Sequence, residues 1–248
     1  MIFLTSTMGE DYWADGSFRP KVISNDNNWR NMLKTAIPPM SYGILVAASP
    51  DDFENNNNMC RNMTDAFAMS GIEIEDIRLC DRRTCGQLPD MLKKAGFVIL
   101  SGGHLPTQNR FFAEINLKEL IKNFGGTIIG ISAGTMNSAD IVYSAPELEG
   151  EAIDPEFKRY LTGLGLTDIN VFPHFQVNKD SMLDGMKMID ILKQDSYTRP
   201  FVALNDGSYI AIDGGDVTLY GDAFYFINGE IEQICYKEKM IRLDGYRI

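Results

Sequence analysis

The sequence predicts an α/β protein built on an open, mostly parallel sheet with helices on both faces, followed by a C-terminal antiparallel β-meander. Continuous apolar runs, which suit strands buried on both faces, occupy 42–49, 97–100 and 127–131. Segments with helical spacing of apolar residues separate these runs, and such β-α alternation is typical of a parallel sheet. The last third instead contains short apolar runs separated by Asn, Asp and Gly, which favour tight turns.

The elements of the first two-thirds follow from these local patterns. In order, they are a strand at 1–8, a strand at 42–49, an Asn-rich loop at 55–58, a helix through 63–70, a strand at 72–79, a helix at 87–95, a strand at 97–100, a helix at 107–123, a strand at 127–131 and a helix from 133 to about 143.

Five short strands are predicted in the C-terminal third, and we expect them to form a meander at one edge of the same sheet. They are 201–204, 209–212, 217–220, 223–227 and 231–236. Because no Pro-, Gly- or Ser-rich linker and no repeat interrupts the chain, we predict one domain over 1–248. Residues 1–41 are an N-terminal extension that either covers the functional site or mediates oligomerisation, for example as a homodimer.

The composition narrows the function classes. A net charge of −11 argues against nucleic acid as a partner, because phosphate binding needs a Lys/Arg surplus. Four scattered cysteines without a CxxC pair, and only two histidines, argue against structural zinc and favour a reducing, cytoplasmic compartment. The sequence contains no run of 18 apolar residues, so we expect no membrane span.

The segment Gly130-Ile131-Ser132-Ala133-Gly134 is the strongest candidate for chemistry. It fits G-x-S-x-G, and it stands between a predicted strand and a predicted helix, where small neighbours let the backbone turn sharply. Such a turn exposes the serine hydroxyl beside backbone N–H groups that can stabilise an oxyanion. We interpret Ser132 as a nucleophile.

A serine nucleophile needs a general base, and the chain has two histidines. We favour His174, which follows the apolar segment Val171-Phe172-Pro173. His104 follows Gly102-Gly103 at the end of a predicted strand, and it either contacts substrate or caps this loop. The glycine pair allows backbone N–H groups to approach a ligand, so a second oxyanion donor is expected there.

The base histidine needs an orienting acid, and the sequence leaves several candidates open. Glu147, Glu149 and Glu151 lie between the serine and His174, and Asp206 follows the predicted strand 201–204.

Three segments together resemble the peptidase E and cyanophycinase family of serine peptidases. They are Leu100-Ser-Gly-Gly103, Ile131-Ser-Ala-Gly134 and Pro173-His174-Phe175, and the similarity spans about 42 to 213. The resemblance implies the class I glutamine amidotransferase-like fold and the cleavage of short peptides, with no metal or organic cofactor.

The resemblance also implies roles for individual residues. Ser132 would be the nucleophile, His174 the base, and the backbone of Gly103 and Ala133 the oxyanion hole. An acid shortly before an Asp-Pro dipeptide falls on Glu149 when Asp154-Pro155 sets the register. Counting forward from the serine gives Glu147 instead, and Asp206 matches a later acidic position of the wider family. We select Glu149.

One feature of peptidase E is missing. That enzyme holds an aspartyl substrate with an arginine soon after the histidine, whereas 176–193 contains Lys179, Lys187 and Lys193 and no arginine. A lysine lacks the planar, two-pronged geometry of a guanidinium, which argues against an aspartyl preference.

Two alternatives remain at this point. An α/β-hydrolase esterase shares G-x-S-x-G, but its histidine usually lies near the C-terminus, and here a long β-rich segment follows His174. A non-catalytic protein that binds a small ligand on the same fold is the other alternative.

Overall fold

An eight-stranded mixed sheet and a four-stranded sheet form the framework of the protein. The computed structural model describes residues 1–244 and 246. The strands are β1 (Ile2–Thr5), β2 (Asp11–Ala14), β3 (Ser17–Pro20), β4 (Ser41–Val46), β5 (Ile74–Cys80), β6 (Ala95–Leu100), β7 (Thr127–Ile131), β8 (Ile141–Tyr143), β9 (Tyr160–Thr162), β10 (Val171–Phe172), β11 (Met182–Leu183), β12 (Met186–Lys187), β13 (Phe201–Leu204), β14 (Tyr209–Asp213), β15 (Asp216–Tyr220), β16 (Ala223–Ile227), β17 (Glu230–Cys235) and β18 (Met240–Arg242). The α-helices are α1 (Trp29–Ala36), α2 (Phe53–Met69), α3 (Leu88–Leu92), α4 (Leu105–Glu114), α5 (Leu117–Ile121), α6 (Ala133–Met136), α7 (Phe175–Asn178) and α8 (Met188–Asp195).

The large sheet has the predicted α/β character. Its strand order is β18-β15-β14-β1-β7-β6-β4-β5. The five strands from β1 to β5 in this order run parallel, and β14, β15 and β18 extend the sheet in antiparallel fashion. Every residue of β7 is buried, as the continuous apolar run of this strand predicted. The fold class is therefore confirmed.

The C-terminal strands exist almost as predicted, but they do not form one meander at one edge. β14 and β15 join the large sheet, whereas β13, β16 and β17 form a second sheet with β10. β13 runs parallel to β10 and antiparallel to β16. The rings of Phe201 and Phe226 stack across β13 and β16 at 4.8 Å. This expectation was wrong because tight turns between strands do not specify which sheet each strand joins.

Three helices differ from their predicted bounds. α2 begins at Phe53 and includes the Asn-rich stretch predicted as a loop, because the Asp52 side chain caps it by accepting from the N–H of Asn55 at 3.3 Å. The helix predicted over 107–123 breaks where Asn116 adopts a left-handed conformation, with φ of 53°. The helix after Ser132 ends at Met136, and 141–143 instead forms β8, which pairs with β9.

The carboxyl ends of β1, β6 and β7 meet at one edge of the large sheet, because these strands are parallel neighbours. Thr5, Leu100 and Ile131 are their last residues, so the chain segments that follow them share that edge. Open parallel sheets place ligands at this edge. Within 1–244 and 246, no helix combines the length and apolar character that crossing a membrane requires.

Gly134 packs directly beneath the turn that follows β7. A Cβ added there would lie 2.1 Å from the carbonyl oxygen of Leu100, which is backbone and cannot move aside easily. We expect Gly134→Ala to lower the free energy of unfolding by about 1–3 kcal/mol or more through overpacking. Urea unfolding followed by circular dichroism measures this. Gly125→Ala is the matched control, because an added Cβ there meets nothing within 4 Å. An equal effect of both substitutions would contradict the packing argument.

Candidate active site

Ser132 occupies a strained turn between β7 and α6. Its backbone has φ of 50° and ψ of −112°, a conformation that non-glycine residues rarely adopt. Its N–H donates to the carbonyl of Thr5 at 2.9 Å, which holds the turn against the neighbouring strand β1. The hydroxyl of Thr135 also donates to that carbonyl at 2.8 Å. The G-x-S-x-G segment therefore forms the strand-turn-helix geometry that exposes a nucleophilic serine.

The Gly102-Gly103 loop lies against this turn. A Cβ added at Gly102 would come within 3.3 Å of the Ser132 Cβ, so the loop can approach this closely because it carries no side chain there. Gly103 has φ of 151° and lines the same cavities as Ser132. Ala133 is the first residue of α6, so its N–H has no acceptor within the helix. Both predicted oxyanion donors thus flank the serine.

His174 follows β10 and stands at the start of α7. It adopts a left-handed conformation with φ of 55°, and its N–H donates to the hydroxyl of Ser6 at 3.2 Å. Ser6 in turn donates to the carbonyl of Leu204 at 3.3 Å. His174 lines both of the cavities that Ser132 lines, so the structure brings these two predicted residues to one place.

Asp206 is the carboxylate that contacts His174. Its Oδ1 lies 2.6 Å from His174 Nδ1, and its Oδ2 accepts from Gln176 Nε2 at 2.7 Å. The N–H of Asp206 donates back to Gln176 Oε1 at 2.9 Å. Burial raises the pKa of Asp206, but the hydrogen bonds from His174 and Gln176 outweigh it and hold this pKa below its usual value. Asp206 therefore stays ionised at neutral pH.

The other predicted acids lie elsewhere. Glu149, which we selected from the sequence, is exposed in the loop between β8 and β9 and makes no hydrogen bond or ion pair with His174 among the described residues. Glu147 lines a cavity with Ser132. Burial, with the charge of Glu151 nearby, raises the pKa of Glu147 to about 7, although His174 acts in the opposite direction.

His104 supports the loop rather than lining a cavity. Its Nδ1 lies 2.8 Å from the hydroxyl of Thr107, and its Nε2 lies 3.5 Å from Glu151 Oε1. Neither cavity at Ser132 includes His104 among its lining residues. Of the two roles considered for this histidine, the loop-capping one fits its contacts.

Two cavities meet at Ser132 and His174. The first has a volume of about 400 Å³, and it is bounded by α6, the loop after β8 and the segment from β10 to α8. The second has a volume of about 970 Å³, and it runs between α2 and the β2–β3 hairpin. Trp13 and Phe18 of that hairpin also line the second cavity. Part of the N-terminal extension therefore forms a wall beside the site.

Sequence reasoning missed three residues that hold the site together: Thr5, Ser6 and Gln176. Thr5 and Ser6 are polar residues directly after an apolar strand, and at the carboxyl edge of a parallel sheet this position was a usable signal. Gln176 carried no signal, because its role depends on Asp206, which is distant in sequence.

Comparison with known proteins identifies the family. The model of peptidase family S51 matches residues 47–220, which include Ser132, His174 and Asp206. The chain belongs to peptidase family S51. It is therefore a serine peptidase by family, and this membership argues against the α/β-hydrolase alternative.

The fold of this S51 peptidase is also similar to a solved structure. A candidate peptidase E from Listeria monocytogenes EGD-e superposes with a TM-score of 0.60 at 14% sequence identity, and the match covers 94% of this chain and 98% of that one. No curated protein matches the sequence. At this identity the structural similarity supports the fold, and the family model supports the peptidase assignment.

Asp206 and Glu149 can be separated by substitution. We expect Asp206→Asn to slow the labelling of Ser132 by a fluorophosphonate by roughly 100-fold or more, because His174 loses the carboxylate that orients its ring. Glu149→Gln is the matched control and should leave the rate unchanged. The rate is measured as the increase of labelled protein in intact mass spectra. A slower rate in Glu149→Gln, or an unchanged rate in Asp206→Asn, would contradict this assignment.

Proposed function

We propose that this S51 peptidase hydrolyses short peptides through a Ser132-His174-Asp206 triad and an acyl-enzyme. The observation that carries the proposal is the position of His174. Its Nδ1 is engaged by Asp206 at 2.6 Å, and its ring lines both cavities that meet at Ser132. An imidazole has two nitrogens, and Asp206 contacts one of them. The other, Nε2, is therefore available to accept the proton of the serine hydroxyl.

The chemistry follows from these positions. Ser132 Oγ attacks the scissile carbonyl while His174 Nε2 accepts the hydroxyl proton. The backbone N–H groups of Gly103 and Ala133 stabilise the oxyanion. His174 then gives the proton to the departing amine, and the C–N bond breaks. Water, activated by the same histidine, hydrolyses the acyl-enzyme and restores the serine. Ionised Asp206 stabilises the imidazolium at each stage.

The two cavities support a short substrate. Their volumes of about 400 and 970 Å³ lie in the range of small-ligand pockets, roughly 300–1,000 Å³. Because they meet at Ser132, a peptide can place its acyl side in one cavity and its leaving side in the other. Asp206 takes the place of Glu149 in this proposal, since Asp206 contacts the base.

Labelling and turnover together test the proposal. A fluorophosphonate should add one adduct, mapped to Ser132 by peptide sequencing, and Ser132→Ala should lower the hydrolysis of a dipeptide library by roughly 1,000-fold or more. Ser41→Ala is a suitable control, because Ser41 lies at the amino end of β4, at the opposite edge of the sheet. Labelling at another residue, or equal turnover by Ser132→Ala, would refute the triad.

A further inference from the structure

The smaller cavity beside Ser132 has an unusual balance of charge. Its walls combine apolar and polar side chains in similar measure. The apolar ones include Met136, Phe172, Leu183 and Met188, and the polar ones besides Glu147 are Ser132, His174, Asn178 and Ser181. Among the described residues that line it, Glu147 is the only acidic one, and no lysine or arginine is present. A ligand in this cavity therefore meets apolar surface, neutral polar groups, an imidazole and a single carboxylate.

The loop that carries Glu147 is fixed by two other carboxylates. Glu151 Oε2 accepts from the N–H groups of Glu147 and Leu148 at 2.8 and 2.9 Å. Asp184 accepts from the N–H groups of Gly150 and Ala152 at 2.7 and 2.9 Å. Glu147 is therefore presented to the cavity from a defined backbone.

No lysine or arginine among the described lining residues pairs with the Glu147 carboxylate, although His174 acts to lower its pKa. This carboxylate accepts no hydrogen bond from the described part of the chain, and Glu151 places a second negative charge nearby. A cation bound in the cavity would give this carboxylate a charge-assisted hydrogen bond.

The lysines after His174 do not supply that cation. Lys179, Lys187 and Lys193 are all absent from the lining of both cavities at Ser132. An acidic substrate side chain in the smaller cavity would thus meet the carboxylate of Glu147, and no lysine or arginine among the described lining residues would offset that repulsion. Like charges placed side by side disfavour binding.

We propose that Glu147 is a specificity-determining residue that binds a positive charge on the substrate residue whose carbonyl Ser132 attacks. The apolar side chains of the walls take the carbon chain of that residue, and the cavity rejects acidic side chains. This inference rests on the proposed function, since it assigns the smaller cavity to the acyl side. The positive charge is an ammonium or guanidinium group, and it comes either from the substrate's α-amine or from a lysine or arginine side chain.

Matched phosphonate probes test this inference without requiring turnover. Three diphenyl phosphonate probes are analogues of lysine, norleucine and glutamate, each with its α-amine acetylated and its side chain free. The rate at which each probe labels Ser132 reports the side-chain preference of the cavity. A norleucine probe with a free α-amine, compared with the acetylated one, reports whether the cavity favours a charged α-amine. We expect one of the cationic probes to react about tenfold faster than acetylated norleucine, since hydrogen bonds to charged groups contribute about 1.5–3 kcal/mol. The glutamate probe should react most slowly.

Substitution at position 147 identifies the residue responsible. Glu147→Gln should bring the cationic-to-neutral rate ratio close to one, because the rates for the cationic probes fall more than the rate for acetylated norleucine. Glu149→Gln, two residues further along the same exposed loop and outside the cavity lining, should preserve the ratio. In the wild type the ratio should rise as the pH increases through about 7, because burial and the charge of Glu151 raise the pKa of Glu147 to about 7 and the carboxylate is charged above that value. A rate ratio removes the pH dependence that both probes share.

The possible results separate the two proposals. If a general fluorophosphonate labels Ser132 but the cationic probes have no advantage, or if Glu147→Gln slows all probes equally, this inference is refuted and the triad stands. Faster labelling by the glutamate probe refutes it in the same way. If no probe labels Ser132, the proposed function fails and the inference fails with it.

Discussion

The candidate site depends on the carboxyl end of strand β1. The carbonyl of Thr5 accepts hydrogen bonds from the turn at Ser132 and from Thr135, and the hydroxyl of the next residue, Ser6, accepts from the N–H of His174. The last residue of one central strand and the residue that follows it therefore hold the nucleophile candidate and the base candidate. Both held residues have positive φ, and such conformations cost about 1–3 kcal/mol each unless the surroundings fix them.

The second sheet completes this arrangement. Asp206 lies in the connection from β13, a strand of the four-stranded sheet, to β14, which pairs with β1 in the large sheet. His174 follows β10, the parallel neighbour of β13. The hydrogen bonds between Gln176 and Asp206 tie these two connections together. Asp206 and His174 thus meet because β10 and β13 are paired, and β14 returns this part of the chain to β1, beside which the turn at Ser132 lies.

Two carboxylates near His174 have pKa values displaced in opposite directions. Hydrogen bonds hold the pKa of Asp206 below its usual value, whereas burial and Glu151 raise that of Glu147 to about 7. Such separation commonly marks carboxylates with different tasks. In the proposed mechanism Asp206 remains charged to support the imidazolium. Glu147 lies on the wall of the smaller cavity, in the position where we propose that it binds a cation.

The sequence by itself determined the parallel core and the turn at Ser132, and it predicted His174 as the residue that would join Ser132 at one site. These predictions depend on local patterns: apolar runs with the length of buried strands, small residues where a turn is crowded, and a scarcity of histidines. The tertiary structure alone decided how the C-terminal strands divide between two sheets and which carboxylate contacts the base. Glu149 is nearer to His174 along the chain, yet Asp206 is its neighbour in space. The physical reason is that strand pairing between β10 and β13 sets this contact, and backbone hydrogen bonding between distant segments leaves little trace in local sequence.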